Sequence, residues 1–284
     1  MHLVEGKAMN ITEKAKYFVQ KIVNSLGYEI HGVPSLTDTL TPPYYIRTLV
    51  GPFSDAASYA AVGEEFFRYF KDRCGLKPNE DVLDVGCGCG QMAAPLTKYL
   101  NKGATYEGFD IVPALIKWCV ANISSKYQNF HFQLADIFNK GYNPKGKFKA
   151  SEYRFPYQDE SFDFVFLKSV FTHMLPQDME NYLSEVSRVL KKGQRCLITY
   201  FLLNAQSLAL IDAKLSTLDF KYGFGNYRTI SKTTSENAVA YTEEYIHKLY
   251  EKFGLKIVNS IQYGSWCGRK DYLSYQDIII AVRV

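Results

Sequence analysis

Hydrophobic and polar positions change period several times along this 284-residue chain. Short apolar runs at Val82–Val85, Tyr106–Phe109, Phe130–Leu134, Phe162–Leu167 and Cys196–Phe201 predict buried strands. Between them, apolar residues recur at helical spacing. One such stretch, Pro113–Ser124, has proline at its start, and another, Met179–Leu190, is stopped by Lys191, Lys192 and Gly193. Strand–helix alternation of this kind predicts an α/β fold, a doubly wound and mostly parallel sheet. The rhythm fails from residue 202 to about 241, then resumes with a helix over Thr242–Phe253 and strands at Leu255–Gln262 and Asp277–Val284. No helical pattern joins those last two strands, so the final one is expected to run antiparallel in a sheet of seven.

Upstream of this core, residues 10–26 carry an amphipathic helical pattern. A Pro/Gly/Thr-rich passage follows, and then a second helical pattern, "AVGEEFFRYFKDRCGL", leading to Pro78. The expected organisation is a helical N-terminal lid over 1–77 and one α/β domain over 78–284, with an inserted cap at about 204–241.

Composition narrows the functional classes. Hydrophobic residues make up 47% of the chain, enough for a sizeable core. A formal charge of +4, with Lys and Arg scattered among acids, is no footprint for nucleic acid. The six cysteines, at 74, 87, 89, 119, 196 and 267, have no paired metal spacing and read as reduced thiols. The opening "MHLVEGKAMNITEK" holds no apolar leader, and "CLITYFLLNAQSLALI" is broken by Asn204, Gln206 and Ser207. A cytoplasmic protein without membrane insertion is expected.

The chemistry begins at "VLDVGCGCG", residues 82–90, where a strand breaks into glycines at 86, 88 and 90. In a parallel sheet such a turn faces a ligand beyond the carboxyl ends of the strands. A dinucleotide pyrophosphate wants backbone N–H groups with no anion nearby and a G-x-G-x-x-G spacing. Here Asp84 precedes glycines spaced G-x-G-x-G. A carboxylate at that place repels phosphate and attracts an ammonium or sulfonium, which makes S-adenosylmethionine the expected cofactor. Asp84 could alternatively cap the turn, although an uncompensated buried acid is costly.

"VLDVGCGCG" resembles the first motif of class I S-adenosylmethionine-dependent methyltransferases. The resemblance runs from about residue 78 to 203, more loosely to 284, and implies their seven-stranded Rossmann-like fold. In that family the second strand ends in an acid holding the ribose hydroxyls, here Asp110 followed by Ile111. The third strand is followed by an acid near adenine, here Asp136 flanked by Ala135 and Ile137. Asp136 could instead cap the next helix. The segment "FDFVFLKSVFTHM" resembles the one carrying the methionyl moiety past the reacting centre, and "RVLKKGQRCLITYF" the following helix, turn and strand, with Gln194 where a second glycine is usual. The cofactor contacts so implied are Asp84, Gly86, Cys87, Gly88, Gly90, Asp110, Ile111, Ala135, Asp136, Ile137 and Lys168.

For the acceptor, a small molecule methylated on oxygen is the leading expectation, with nitrogen, carbon or a non-catalytic binding protein as alternatives. An alcohol must lose a proton, and His173, just past the fourth strand, is placed to be the base. It could equally pack against the cofactor pocket. No metal is expected, because "FLKSV" lacks the acids and amide of metal-dependent catechol-type enzymes. "TPPY" at 41–44 resembles an amino-methylation loop but precedes the glycine motif, and reads as lid or loop. In the loop "GSWCGRKDYLSY", Trp266 and Arg269 are candidate substrate contacts, by stacking and by a guanidinium fork. Both could also be structural. A nicotinamide oxidoreductase is disfavoured by Asp84 and the glycine spacing.

Overall fold

A computed structural model of the chain describes residues 40–51, 53 and 55–284, so the helix expected at 10–26 lies outside the described residues. A short helix α1 (Tyr44–Arg47) leads to α2 (Ala56–Asp72). Asp55 caps α2 by accepting from the Ser58 N–H at 2.7 Å. Tyr59, Gly63, Phe66 and Phe70 recur at intervals of three and four, so one stripe of α2 is buried.

The alternating core follows. It contains β1 (Val82–Val85), α3 (Ala93–Leu96), β2 (Tyr106–Asp110), α4 (Pro113–Cys119), β3 (Phe130–Leu134), β4 (Phe162–Leu167), α5 (Pro176–Val189) and β5 (Leu190–Tyr200). Next come β6 (Leu202–Leu203), α6 (Ala205–Asp212), β7 (Tyr222–Gly223), β8 (Tyr227–Thr229) and β9 (Val239–Thr242). The chain ends with α7 (Glu243–Lys252), β10 (Leu255–Ile257) and β11 (Asp277–Arg283). Seven strands form one sheet in the order β10-β11-β5-β4-β1-β2-β3, with β11 antiparallel to both neighbours and the other pairs parallel. The expected fold class is therefore observed.

Side chains alternate across the pleat and divide the core into two layers. Leu83, Val85, Val165 and Leu167 pack with Leu183 and Val186 of α5. On the opposite face Val82, Phe164 and Phe166 pack with Phe66 and Phe70 of α2. Asp84 shares that second face, two residues from Val82, and is buried there.

Two boundaries differ from expectation. Helix α5 runs straight into β5 at Leu190, where Lys191, Lys192 and Gly193 were expected to form a turn. Those residues instead bulge out of the ladder, because Phe162 pairs with Leu190 while Phe164 pairs with Arg195. Lys191 is held there by Asp163 at 2.8 Å and Asp81 at 3.3 Å. The strand expected over Leu255–Gln262 is laddered only to Ile257. Asn259, at φ +63°, breaks it, and Gln262 rejoins the sheet by a single bridge to Ile278.

The stretch where the rhythm fails builds a second sheet, ordered β6-β9-β8-β7. Its own apolar cluster includes Phe201, Leu218, Phe220, Ala240 and Trp266.

Candidate functional site

The chain reverses direction across the sheet at β1, between β4 and β2, and a cavity opens beyond the carboxyl ends of these strands. The glycine turn forms its wall. Gly86 and Gly88 have φ of +78° and +55°, in the region where a Cβ is disfavoured. A Cβ on Gly86 would stand 2.5 Å from Val170, and one on Gly88 would stand 2.9 Å from Val50. Gly86, Cys87 and Gly88 line the cavity. Gly90 does not, and serves the turn into α3.

Asp110 ties the end of β2 to this turn. Its Oδ2 accepts from the Gly88 N–H and its Oδ1 from the Val112 N–H, both at 2.9 Å. Burial pushes its carboxyl upward, and these backbone donors oppose the shift. Asp110 and Ile111 both line the cavity.

Asp84 also lines it, and the Tyr106 hydroxyl donates to its Oδ2 at 2.5 Å. Desolvation pushes the Asp84 carboxyl up to about 8, with the Tyr106 bond and the Lys168 charge pulling the other way and Asp110 adding to the rise. Lys168, from the end of β4, shares the cavity wall. Burial lowers its ammonium, while Glu65 and Asp84 oppose that shift. Lys168 has no hydrogen-bond or salt-bridge partner among the described residues. An acid and an unpartnered cation thus stand at the glycine end of one cavity. That arrangement suits the ammonium and carboxylate of an amino-acid tail.

After β3, expectation and structure part. Ile137 lines the cavity, but Ala135 is buried away from it and Asp136 does not reach it. The Asp136 carboxylate faces outward to Lys147 at 3.4 Å, while its backbone carbonyl accepts from the N–H groups of Lys147 and Phe148. In this part of the wall the cavity is lined by Ile137 and its neighbour Phe138.

His173 closes a single 3-10 turn, Phe171–His173, and lines the cavity. Its Nδ1 lies 3.0 Å from the Glu236 carbonyl oxygen. A carbonyl can only accept, so Nδ1 carries the proton and Nε2 keeps a lone pair. Burial lowers the imidazole pKa and the nearby Lys168 charge adds to that, while the backbone carbonyls of Glu236 and Asn237 oppose it without reversing the direction. The ring is therefore neutral at pH 7 and basic at Nε2.

Trp266 and Arg269, expected as substrate contacts, are not in the cavity wall. Trp266 is fully buried against Phe201 and Phe220, and its Nε1 donates to Asp277 at 2.7 Å. The Arg269 guanidinium is buried on the same carboxylate at 3.2 Å, with further bonds to Gln206 and Asn204.

The cavity contains residues that sequence reasoning missed. Leu49 and Val50, just past α1, cover the glycine turn. Tyr142, Asp178, Tyr182 and Glu236 line the cavity too, and Tyr142 meets His173 edge to face. Ser169 holds a left-handed φ of +60°, with its N–H on Thr199 Oγ1 at 2.8 Å and its hydroxyl on Gln276 at 2.9 Å. Strain of this kind persists where surrounding bonds over-determine it. Only Asp178 had a signal, an acid in the first turn of the helix after His173.

A methyltransferase-domain family model matches residues 76–254. The chain belongs to the class I S-adenosylmethionine-dependent methyltransferases. Its relatives include the sterol 24-C-methyltransferase ERG6B of Gibberella zeae, 32% identical over 143 residues, 47% of this chain and 32% of the relative. Another is the O-methyltransferase cnsE of Penicillium expansum, 27% identical over 166 residues, 58% of this chain and 53% of that one. The chain thus spans about a third to a half of the curated relatives it matches. Among solved structures, the 1,6-didemethyltoxoflavin-N1-methyltransferase of Burkholderia thailandensis is 16% identical with a TM-score of 0.52, covering 99% of this chain and 93% of its own. That likeness establishes the shared fold. Among the described residues no helix of this methyltransferase is long and apolar enough to cross a membrane.

Proposed function

We propose that this methyltransferase methylates a hydroxyl of a small molecule, with His173 as the general base. The carrying observation is the Nδ1 bond to the Glu236 carbonyl, which leaves Nε2 as the basic nitrogen of a cavity-lining imidazole. Relatives named for carbon, oxygen and nitrogen methylation all share the fold or the family, so their names do not choose the acceptor atom. The choice of oxygen rests on the base.

When bound, S-adenosylmethionine supplies an electrophilic methyl group. The cradle fits it: a side chain at Gly86 or Gly88 would intrude, Asp110 offers carboxylate lone pairs to ribose hydroxyls, and Lys168 and Asp84 offer opposite charges to the tail. Positioning does most of the work in an in-line displacement. His173 Nε2 takes the hydroxyl proton as the oxygen attacks. We further assign the stretch 204–241, which supplies Glu236, to covering the acceptor, and residues 40–77, which supply Leu49 and Val50, to covering the glycine turn.

The test is turnover against pH with cofactor binding measured alongside. Losing a general base is expected to cost about a hundredfold in turnover for His173→Ala, with little change in S-adenosylmethionine affinity. The wild-type rate should rise with pH through a pKa below 6.5, the direction burial imposes on His173, and then level off. A fully active alanine variant would end the proposal. Asp110→Ala, by contrast, should weaken cofactor binding about tenfold or more through loss of a charge-assisted contact.

A further inference from the structure

Charge is distributed unevenly along the cavity. At the glycine end Asp84 is matched by Lys168. Two further carboxylates, Asp178 from the first turn of α5 and Glu236 from the inserted segment, line the wall, and among the described residues Lys168 is the only lysine or arginine lining it. The two acids are close enough to repel each other. Glu236 accepts from the Lys140 backbone N–H and feels the Lys140 charge, but the Lys140 ammonium is exposed and bonded to the Thr233 carbonyl at 3.4 Å. Asp178 accepts backbone N–H groups of Ser151 and Leu175 and has no cation beside it among the described residues.

A second observation points into the same space. Tyr182 is only 4% exposed and lines the cavity, yet its hydroxyl has no hydrogen-bond partner among the described residues. That hydroxyl is not among the sealed, unsatisfied polar atoms either, so the cavity is what it opens onto. Tyr142, which also lines the cavity, sets its ring edge-to-face with His173, centroids 6.0 Å apart. Two phenol rings and two carboxylates around an open space, with the base alongside, form an environment that desolvates poorly around nothing and well around a cation. Ring faces attract ammonium groups, and carboxylates supply the counter-charge.

We infer that the acceptor of this methyltransferase carries an ammonium group, seated among Tyr142, Asp178, Tyr182 and Glu236, a short distance from the hydroxyl that His173 deprotonates. This rests on the reading of the cavity as the cofactor and acceptor site. The class is a small hydroxylated amine. The ammonium is an anchor, and the hydroxyl is the nucleophile.

Tyramine and 4-ethylphenol provide a probe pair, alike in the phenol and differing in the ammonium. Binding of each is measured by calorimetry to the full chain saturated with S-adenosylhomocysteine. Tyramine should bind about tenfold or more tightly, the increment expected of a partly desolvated charge pair with ring contacts. Glu236→Gln should remove most of that advantage while leaving 4-ethylphenol and S-adenosylhomocysteine affinities unchanged. Asp178→Asn should act in the same direction, and Glu236→Gln carries the test if loss of the Asp178 backbone contacts unfolds that variant. Equal affinities for the two probes, no measurable binding of tyramine, or an advantage that survives Glu236→Gln overturns the inference. Failure of S-adenosylhomocysteine itself to bind would instead overturn the reading of the cavity.

Discussion

At the residue scale, Asp84 carries the clearest physical signature of the site. Its position before the glycines was legible as a charge that suits a cationic ligand. What the sequence did not disclose is the company it keeps: the Tyr106 hydroxyl at 2.5 Å, from the neighbouring strand, and Lys168 from another. Those neighbours come together only through the sheet register that sets Asp84 between Gly108 and Phe166. Because burial raises the carboxyl to about 8, Asp84 is largely protonated at lower pH, and a cationic tail is attracted only by the ionised form. S-adenosylmethionine affinity of the wild type should therefore increase as pH rises from 6 towards about 8. Asp84→Asn should bind about tenfold or more weakly at the upper end. It should also lack the part of the pH dependence that belongs to this residue, as calorimetric titrations of both proteins across that range would reveal. Identical curves would assign Asp84 to holding the turn alone.

At the scale of elements, the strand–turn–helix unit at 82–96 was readable because each part obeys a local rule. Four buried residues make a strand, three glycines take positive φ, and the next apolar turn starts a helix. Roles of individual turn residues were not readable, since they depend on what the distant chain presents. Gly86 needs its bare Cα because Val170 stands over it, and Gly90 serves only the turn. Gly86→Ala should thus cost about 1–3 kcal/mol in backbone strain and weaken cofactor binding as well, because the added methyl displaces Val170 at the cavity wall. Gly193→Ala is the control. It shares a positive φ of +75°, but nothing lies within 4 Å of its added Cβ. Denaturation midpoints should fall for both variants, and S-adenosylhomocysteine affinity only for the first. Long-range pairing also explains a placement that the sequence left open. Trp266 and Arg269 looked like a displayed aromatic and cation, and the acid that buries them, Asp277, belongs to the last strand.

Across the whole molecule, Asp277 joins the two sheets. Its Oδ2 accepts from the Leu202 N–H and Trp266 Nε1, and its Oδ1 from the Gly264 N–H and Arg269, so the start of β11 is locked to β6 and to the loop beneath the second sheet. Breaking a buried ion pair by removing one charge typically costs about 3–5 kcal/mol. Asp277→Asn should lower stability to denaturant by that order, yet the folded variant should bind S-adenosylhomocysteine as the wild type does, because none of these partners lines the cavity. A loss of cofactor affinity in proportion to stability would instead show that the second sheet shapes the cavity from afar. The same packing has an optical consequence. The chain has only two tryptophans, and they occupy unlike surroundings. Trp266 is sealed in the cluster of the second sheet. Trp118 is half-buried on α4 against the cluster of Ile46, Tyr59, Cys89 and Leu115, and Cys89 belongs to the glycine turn. One indole should thus act as a constant lamp and the other as a gauge: if filling the cavity shifts the packing around Cys89, the colour of the protein's own emission should change on adding S-adenosylhomocysteine through Trp118 alone.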